Sequence, residues 1–402
     1  MQKQFGLILS ILLISIYITA CGVENEESKN SNENSEVTEQ EKKPEDTIEV
    51  PKLEEPEEPK EPETITSEIT ISAIGDMLIH DRVYEEALTS DGYDFSSMLA
   101  PVKPFLTKST ISIANQETMI GGVELGLSSY PLFNSPHEVG DGLRDIGIDV
   151  VTLANNHTLD RGEEAVQSAI KHWEEIDMMY TGSYKNQEDS QLIRVYHTEE
   201  DIDVSFLSYT YGTNGIPVPE GKDYLVNLID KEKMASDIEE AKDLADVVVL
   251  SLHFGNEYER MPSQQQKDLV QFAADQGVHA IIGHHPHVLQ PVEWVEGKDG
   301  NQTFVAYSLG NFLSGQVDFY RCVGGIVNFT VEKTVKGEEE TIKVKSPQFI
   351  PTFVERGKEQ YYQVTPMYQL TNKDLQNAEE HYQEIKAHMS QWVPELEFIE
   401  SE

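Results

Sequence analysis

Cysteine is nearly absent from this sequence, which has only Cys21 and Cys322 among its 402 residues. One lies in the N-terminal tail and the other in the part expected to fold, so we expect no structural disulfide between them. The scarcity of cysteine does not argue against export. The sequence also lacks a serine nucleophile elbow and a glycine-rich phosphate loop, so neither serine-hydrolase nor P-loop chemistry is indicated.

Positive charge is scarce as well. The chain has 30 Lys and Arg against 72 Asp and Glu, which is a formal net charge of −42. Such a surface repels nucleic acid and anionic lipid headgroups, so a nucleic-acid partner is excluded. It also repels polyanionic substrates unless bound cations supply a local positive potential. Most of the acidic residues are expected to do no more than keep the protein soluble.

The N-terminus is typical of an exported protein. Lys3 precedes an apolar run from Phe5 to Ile18, and two small residues then lead to Cys21. This pattern resembles a bacterial lipobox, although Ile18 stands in the usual place of a leucine. Residues 1–20 are therefore predicted to be a lipoprotein signal peptide, and Cys21 the lipidated residue that anchors the chain outside the cytoplasm. An uncleaved membrane anchor is the alternative, but the run is short for a transmembrane helix, which needs ~20 residues.

Composition divides the remainder of the chain into three parts. Residues 21–68 are rich in Glu and Pro and nearly free of large apolar side chains, so we expect a disordered, extended linker. Residues 69–355 are long enough for one large α/β domain. Residues 356–402 are expected to form a C-terminal extension.

Short apolar runs alternate with helical patterns from residue 69 onward, which predicts an α/β fold with buried, largely parallel strands. The predicted strands are Ile69–Ile74, Ile111–Ala114, Val150–Leu153, Val204–Tyr209, Val247–Leu252, Ala280–Ile282, Phe304–Ser308 and Ile326–Val331. The predicted helices are Asp81–Leu88, Glu138–Ile146, Gly162–Ile176, Lys231–Ala245 and Ser263–Gln276.

Polar residues follow nearly every predicted strand, and functional groups in α/β folds gather at the carboxyl ends of strands. Turns and helix caps explain any one of these clusters. Six in succession, four of them with histidine, instead indicate a metal site. The clusters are Gly75-Asp76 with His80, Asn115-Gln116-Glu117, Asn155-Asn156-His157 with Asp160, His253 to Glu257, Gly283 to His287, and Gly310-Asn311.

The donor types in these clusters are carboxylates, amides and imidazoles without thiolate, which suits Mn, Fe, Zn or Co. His285 and His287 are the strongest indication of a metal site. Alternate positions of an extended segment point both rings the same way, and Pro286 stiffens the segment between them. Two ions bridged by a carboxylate would activate water and neutralise an anionic substrate.

Taken in order, these clusters are similar to the motifs of the CapA family of capsule (poly-γ-glutamate) synthesis proteins: Gly-Asp, Asn-x-Glu, Asn-Asn-His-x-x-Asp, His-x-Gly-x-Glu, Gly-x-His-Pro-His and Gly-Asn-Phe. The resemblance runs from about Ile69 to about Val331. That family in turn resembles the calcineurin-like metallophosphoesterases. The resemblance implies a four-layer sandwich of two mixed β-sheets flanked by helices, and a hydrolase-type site with two divalent ions (Mn, Fe or Zn).

The resemblance also implies roles for individual residues. His157, oriented by Asp160, would be the acid near the leaving group. The implied metal ligands are Asp76 and His287 for the first ion, Asn156, His253 and His285 for the second, and Glu117 as the bridge. The residues expected to contact substrate or to support the ligands are His80, Asn115, Asn155, Glu257, Asn311 and Arg321.

The sequence departs from the phosphoesterase pattern in two places. Leu78 stands where that pattern has a histidine, so the first ion lacks an imidazole unless His80 folds back to supply it. Glu117 is one methylene longer than the usual aspartate. His284 is expected to point away from the side of His285 and to be structural. Arg321 is suited to a bidentate contact with a carboxylate or phosphate. The alternative is a surface salt bridge without a role at the site.

Three functions stay open from the sequence. The first is metal-dependent hydrolysis or transfer at the outer face of the membrane, on a phosphoester or on an amide of a γ-glutamyl polymer. This class includes a phosphoesterase or cell-wall hydrolase unrelated to capsules. The second is a non-catalytic component that binds or assembles the anionic polymer beside membrane capsule-synthesis proteins. The third is an exported binding protein for a small anionic ligand. Fold alone does not choose among them.

Overall fold

Two mixed β-sheets form the centre of the molecule. The computed structural model describes residues 63–356 and 362–401. The predicted signal peptide, Cys21 and the linker up to residue 62 therefore lie outside the described residues. The strands are β1 (Thr64–Leu78), β2 (Leu88–Thr89), β3 (Gly92–Tyr93), β4 (Ile111–Asn115), β5 (Val150–Thr152), β6 (Met179–Thr181), β7 (Arg194–His197), β8 (Asp203–Thr210), β9 (Val247–His253), β10 (Ala280–His284), β11 (Leu289–Glu296), β12 (Gln302–Leu309), β13 (Asn311–Ser314), β14 (Val323–Lys336), β15 (Glu339–Arg356), β16 (Tyr362–Pro366) and β17 (Glu397–Phe398).

Helices connect and cover the strands. Capping side chains fix the start of two of the helices. Ser263 and Gln266 form a capping box at the start of the seventh helix, and Asp230 caps the start of the sixth. The α-helices are α1 (Asp81–Glu86), α2 (Ser96–Leu99), α3 (Lys103–Leu106), α4 (Glu138–Asp145), α5 (Gly162–Glu175), α6 (Lys231–Leu244), α7 (Gln264–Asp275) and α8 (Ala378–Met389).

The first sheet has the strand order β16-β15-β14-β1-β4-β5-β6, with β13 beside the end of β1 and β17 beside β15. Strands β1, β4, β5 and β6 run parallel to one another, while β14, β15 and β16 form an antiparallel meander at the other edge. The second sheet has the order β11-β12-β10-β9-β8-β7, parallel at its centre and antiparallel at both edges.

The two sheets pack face to face with helices on both outer sides. One core cluster joins Ile71 and Ile113 of the first sheet to Val249 and Phe304 of the second. A second cluster packs α1 to α5 against the outer face of the first sheet, and a third packs α6 and α7 against the outer face of the second. The four layers are therefore helix, sheet, sheet and helix, and the fold is mixed α/β as expected.

All eight predicted strands and all five predicted helices are present, with boundaries within a few residues. The strands are less uniformly parallel than their apolar runs suggested, because the edges of both sheets are antiparallel. The edge strands are harder to predict, since their outer faces mix polar and apolar residues.

Two boundaries differ from expectation. Strand β1 begins at Thr64 rather than residue 69, because residues 64–68 pair with β14 from Lys336 back to Glu332. The C-terminal residues are part of the main fold: β16 extends the first sheet, and α8 contributes Tyr382, Ile385 and Met389 to the core between the sheets. Within the described ranges, no helix is both long and apolar enough to cross a membrane.

Candidate metal centre

The carboxyl ends of the parallel strands of both sheets meet at one place. The end of β1 aligns Asp76 with Asn115 of β4 and with Asn311 of β13. In the second sheet, His284 of β10 is in register with His253 of β9. This alignment brings residues separated by more than 200 positions in the sequence into one buried cluster.

Close backbone approach at Gly75 holds Asp76 in place. A Cβ atom at Gly75 would lie 2.1 Å from the carbonyl oxygen of Gly310, so only glycine fits. The Asp76 amide donates to that same carbonyl oxygen over 2.8 Å. The Asp76 carboxylate is fully buried, with His287 Nδ1 3.2 Å from Oδ2.

Glu117 occupies the middle of the cluster. Its Oε1 atom lies 3.6 Å from His253 Nε2 and 3.7 Å from His287 Nε2. Both carboxylate oxygens are buried, and neither has a hydrogen-bond partner among the described residues. Such a group is costly to bury unless a cation or a donor meets it.

Two groups of possible metal ligands share this glutamate. Asp76, Glu117 and His287 form one group, and Glu117, His253 and His285 form the other, with the ligand atoms of each group within 4.8 Å of one another. Asn156 joins the second group, because its Oδ1 lies 2.8 Å from His253 Nε2. The structure thus brings together the six residues expected to bind metal, and a third possible ligand group, of Glu257, His285 and His287, overlaps the first two.

The segment that carries His285 and His287 is not extended as the sequence suggested. Strand β10 ends at His284, and His285 and His287 have φ angles of 97° and 57°. These left-handed conformations are strained for residues with a side chain. The two rings nevertheless lie 5.9 Å apart between centroids, because the turn, not strand alternation, aims them together.

His284 does not face away from the site as expected. Its Nδ1 lies 3.3 Å from Asp76 Oδ1, and its ring is buried. It belongs to none of these ligand groups, and it lies near Oδ1 of Asp76, whereas His287 lies near Oδ2.

His157 lies at the edge of the cluster with Asp160. Asp160 Oδ2 accepts a hydrogen bond from His157 Nδ1 over 2.7 Å and another from the Phe133 amide over 2.7 Å. The Phe133 ring meets the His157 ring edge to face at 4.8 Å. The imidazole therefore has a fixed orientation, with Nε2 left for a ligand.

Three asparagines support these side chains. Asn115 Nδ2 donates to Asp76 Oδ1 over 2.8 Å, and Asn311 Oδ1 lies 3.1 Å from His287 Nδ1. Asn155 ties two loops together by accepting from the His157 amide and donating to the Gln116 carbonyl oxygen. Partners of this kind fix ligand orientation.

The remaining predicted site residues lie at the periphery. His80 belongs to no ligand group; its Nδ1 is 3.0 Å from the Leu78 carbonyl oxygen, and its ring packs on Phe133. Glu257 is exposed, but its carboxylate groups with His285 and His287 within 4.8 Å. The Arg321 guanidinium stacks over the Tyr258 ring at 3.6 Å.

Burial shifts the protonation of the central groups. Burial by itself would raise the pKa of Asp76, but hydrogen bonds and charge from His284 and His287 outweigh it and hold that pKa well below its usual range. Burial raises the pKa of Glu117 well above its ordinary value. Burial also lowers the pKa of His253 and brings that of His285 to about 3. Both imidazoles are thus neutral, the form that binds metal.

The residues present fit a divalent cation. Two buried carboxylates, three imidazoles and an amide oxygen converge, and the Glu117 oxygens and His285 Nδ1 are buried without hydrogen-bond partners in the part of the chain that the structure describes. Oxygen and nitrogen donors without thiolate suit Mn, Fe or Zn.

Sequence reasoning misses several residues at this site. Asn214 Oδ1 accepts from Asn156, and the Tyr211 ring lies 4.6 Å from that of His285. Both follow strand β8, where the strand-end rule applies equally. They escape notice because that segment contains no histidine or acid.

Comparisons with known proteins agree on one family. The profile of the bacterial capsule synthesis protein family PGA_cap matches residues 70–316. The capsule biosynthesis protein CapA of Bacillus anthracis is 29% identical over 263 residues, which cover 62% of this chain and 60% of that protein. The PGA biosynthesis protein CapA of Bacillus subtilis (strain 168) is 27% identical over 215 residues, which cover 53% and 55%. The alignments thus span less than two thirds of either relative.

Solved structures are more distant. A candidate 5'-nucleotidase from Staphylococcus aureus, solved with alpha-ketoglutarate, has a TM-score of 0.43 at 14% identity, covering 79% of this chain and 58% of its own. A protein from Thermus thermophilus has a TM-score of 0.33 at 8% identity, and the match covers 68% of this chain and 98% of that protein.

Proposed function

Because the chain belongs to the bacterial capsule synthesis protein family PGA_cap, we propose that it acts outside the cytoplasm as a lipid-anchored, metal-dependent hydrolase or transferase on a capsule polymer of the poly-γ-glutamate type. The family match and the names of both Bacillus relatives support the capsule role. The lipobox-like sequence at Cys21 supports the location and the anchor.

One observation carries the catalytic part of the proposal. The same Glu117 oxygen lies 3.6 Å from His253 and 3.7 Å from His287, and the carboxylate has no hydrogen bond to relieve its burial among the described residues. A carboxylate between two imidazole groups is the arrangement that bridges two cations. Asp76, His287 and Glu117 would hold one ion, and Asn156, His253, His285 and Glu117 the other.

Bound divalent ions would supply an activated water and neutralise negative charge on the substrate. The chain's own residues supply orientation and a proton. His157, whose Nδ1 is held by Asp160, would donate the Nε2 proton of its imidazolium form to the leaving atom. Asn214 Nδ2 lies beside the ring, 3.5 Å from His157 Nδ1. The scissile bond is either an amide of the polymer or a phosphoester.

A metal-binding measurement tests this proposal first. The full-length chain in mild detergent would be stripped, reconstituted with Mn or Zn and analysed by mass spectrometry, beside Glu117→Gln and Glu86→Gln. Glu86 is a matched control, because it is a half-buried carboxylate on α1 whose pKa burial also raises. We expect up to two ions in the wild type and in Glu86→Gln, and loss of at least one in Glu117→Gln.

The proposed metal centre is wrong if the reconstituted wild type holds no ion, or if Glu117→Gln holds as many. If metal is bound but neither γ-glutamyl oligomers nor phosphoesters are cleaved, while His285→Ala still supports polymer production in cells, the non-catalytic assembly role is favoured instead. Cleavage of phosphoesters alone would favour a phosphoesterase unrelated to capsules.

A further inference from the structure

Arg321 occupies a defined position beside the candidate metal centre. Its guanidinium carbon lies 3.6 Å from the centre of the Tyr258 ring, and that ring lies 6.1 Å from the ring of His287. The side chain is 31% exposed, so it is partly held by the protein and partly open to a ligand. A guanidinium that lies over an aromatic ring can still donate hydrogen bonds from its N–H groups.

The backbone of Arg321 is tied to the metal ligands through one asparagine. Asn311 Nδ2 donates to the Arg321 carbonyl oxygen over 2.9 Å, while Asn311 Oδ1 lies 3.1 Å from His287 Nδ1. The position of the arginine is thus set by a residue that also positions a ligand.

Tyr258 is tied to the same segment. Its amide donates to the Pro286 carbonyl oxygen over 2.8 Å, between His285 and His287. Its φ angle of 66° is left-handed, which is strained for a tyrosine. Backbone strain of this kind persists where the surroundings impose it and is frequent at functional sites.

A surface salt bridge does not account for this arrangement. Arg321 does lie 3.2 Å from Asp318, but the Asp318 side chain is 65% exposed, and such pairs contribute little. Arg260 shows the contrast. It also stacks on a tyrosine, Tyr320, at 3.9 Å, but its charge is paired with Glu384 of α8 at 2.7 Å.

Negative charge lies close to Arg321 at the edge of the candidate metal centre. Glu257 exposes a carboxylate beside His285 and His287 on the Tyr258 side, and it repels any anion that enters there. The positive charge of Arg321 on the same side offsets that repulsion.

We propose that Arg321, held over the Tyr258 ring, binds an anionic oxygen pair of the substrate, a carboxylate or a phosphate, beside the metal centre and thereby determines substrate specificity. This inference rests on the proposed function for the identity of the substrate, but the anion site itself does not require turnover. The bidentate geometry of guanidinium matches two oxygens on one atom.

Calorimetric titration of the full-length chain tests the site, with and without reconstituted Mn. Two probes are used separately: a γ-linked glutamate trimer as the source of carboxylate, and inorganic phosphate. The variants are Arg321→Gln, Arg321→Lys and, as the matched stacked arginine, Arg260→Gln. Bound metal is measured in each.

We expect Arg321→Gln to weaken binding of one probe by about tenfold or more, Arg321→Lys to weaken it less, and Arg260→Gln to change it less than twofold. Metal content should be the same in all four proteins. The probe that responds identifies carboxylate or phosphate as the recognised group.

The inference is overturned if Arg321→Gln binds both probes as the wild type does, if Arg260→Gln weakens binding equally, or if the wild type binds neither probe. These outcomes are distinct from failure of the proposed function. If the chain holds no metal but still binds a probe through Arg321, the anion site is supported and the proposed metal-dependent hydrolase is not.

Discussion

Uncharged side chains at the candidate centre determine how the charged ones are aimed. Asn115 donates to Asp76 over 2.8 Å, and its own Oδ1 accepts from Thr152 over 3.2 Å. This chain of hydrogen bonds leaves the Asp76 carboxylate one orientation. At the scale of single residues, therefore, the amides matter as much as the ligands.

Replacing Asn115 with alanine tests this point. We expect Asn115→Ala to weaken Mn binding by about 10- to 100-fold, because Asp76 loses the donor that orients it. Asn227→Ala is the control, since Asn227 is a buried amide whose side chain donates to the Ser208 carbonyl oxygen and not to a ligand residue. Titration calorimetry of the stripped proteins measures both affinities. Equal losses in the two variants would show a general effect of removing a buried amide.

At the scale of elements, the β9–β10 pair joins the site to the core. The strands carry His253 and His284 at their carboxyl ends, and His279 precedes β10 at the other end. His279 Nδ1 accepts a hydrogen bond from the Val248 amide over 3.0 Å. Burial, and then the charge of Lys242, lower the pKa of His279 to about 4.

The shift at His279 predicts a loss of stability in acid. A histidine whose pKa is lower in the folded chain than in the unfolded chain, about 6.5, resists protonation only while folded. Above pH 6.5 the imidazole is neutral in both states and does not change the free energy of unfolding. As the pH decreases from 6.5 toward 4, the unfolded chain takes up the proton first and the free energy of unfolding falls. His279→Asn keeps an acceptor for Val248 and removes the titration.

Unfolding in urea at pH 7.5 and 4.5 measures this effect. Between these pH values, we expect the free energy of unfolding of His279→Asn to fall by about 2 kcal/mol less than that of the wild type. This figure allows for the partial exposure of the side chain. His197→Asn, on the exposed end of β7, should behave as the wild type does. If His279→Asn shows the same acid loss as the wild type, burial of this imidazole does not control acid stability.

At the scale of the whole molecule, the two cysteines offer a matched pair for testing the anchor. Cys21 follows the N-terminal apolar run, whereas Cys322 is a buried residue directly before β14. We expect a fatty-acid analogue supplied to expressing cells to label the wild type and Cys322→Ala but not Cys21→Ala, which should also leave the membrane fraction. Label on Cys21→Ala would contradict lipidation at this residue, and absence of label from every variant would favour an uncleaved anchor.

Much of this architecture could be predicted from local pattern. Apolar runs located the central strands, and the polar residues after them included all six residues that converge at the centre. The turn at His285 to His287 could not be predicted, because its left-handed backbone is imposed by neighbouring strands. Nor could the contact of His284 with Asp76, since it depends on packing one sheet against the other.

Local pattern was enough for the mixed α/β class, the order of the strand-end clusters and the family, because hydrophobic periodicity and strand-end chemistry are local properties. Packing of distant segments, by contrast, places Glu117 between two imidazole groups, leaves His80 outside the ligand groups and sets Arg321 over Tyr258. These contacts join residues from both sheets or from distant loops. Their distances follow from how the layers pack, which no local pattern records.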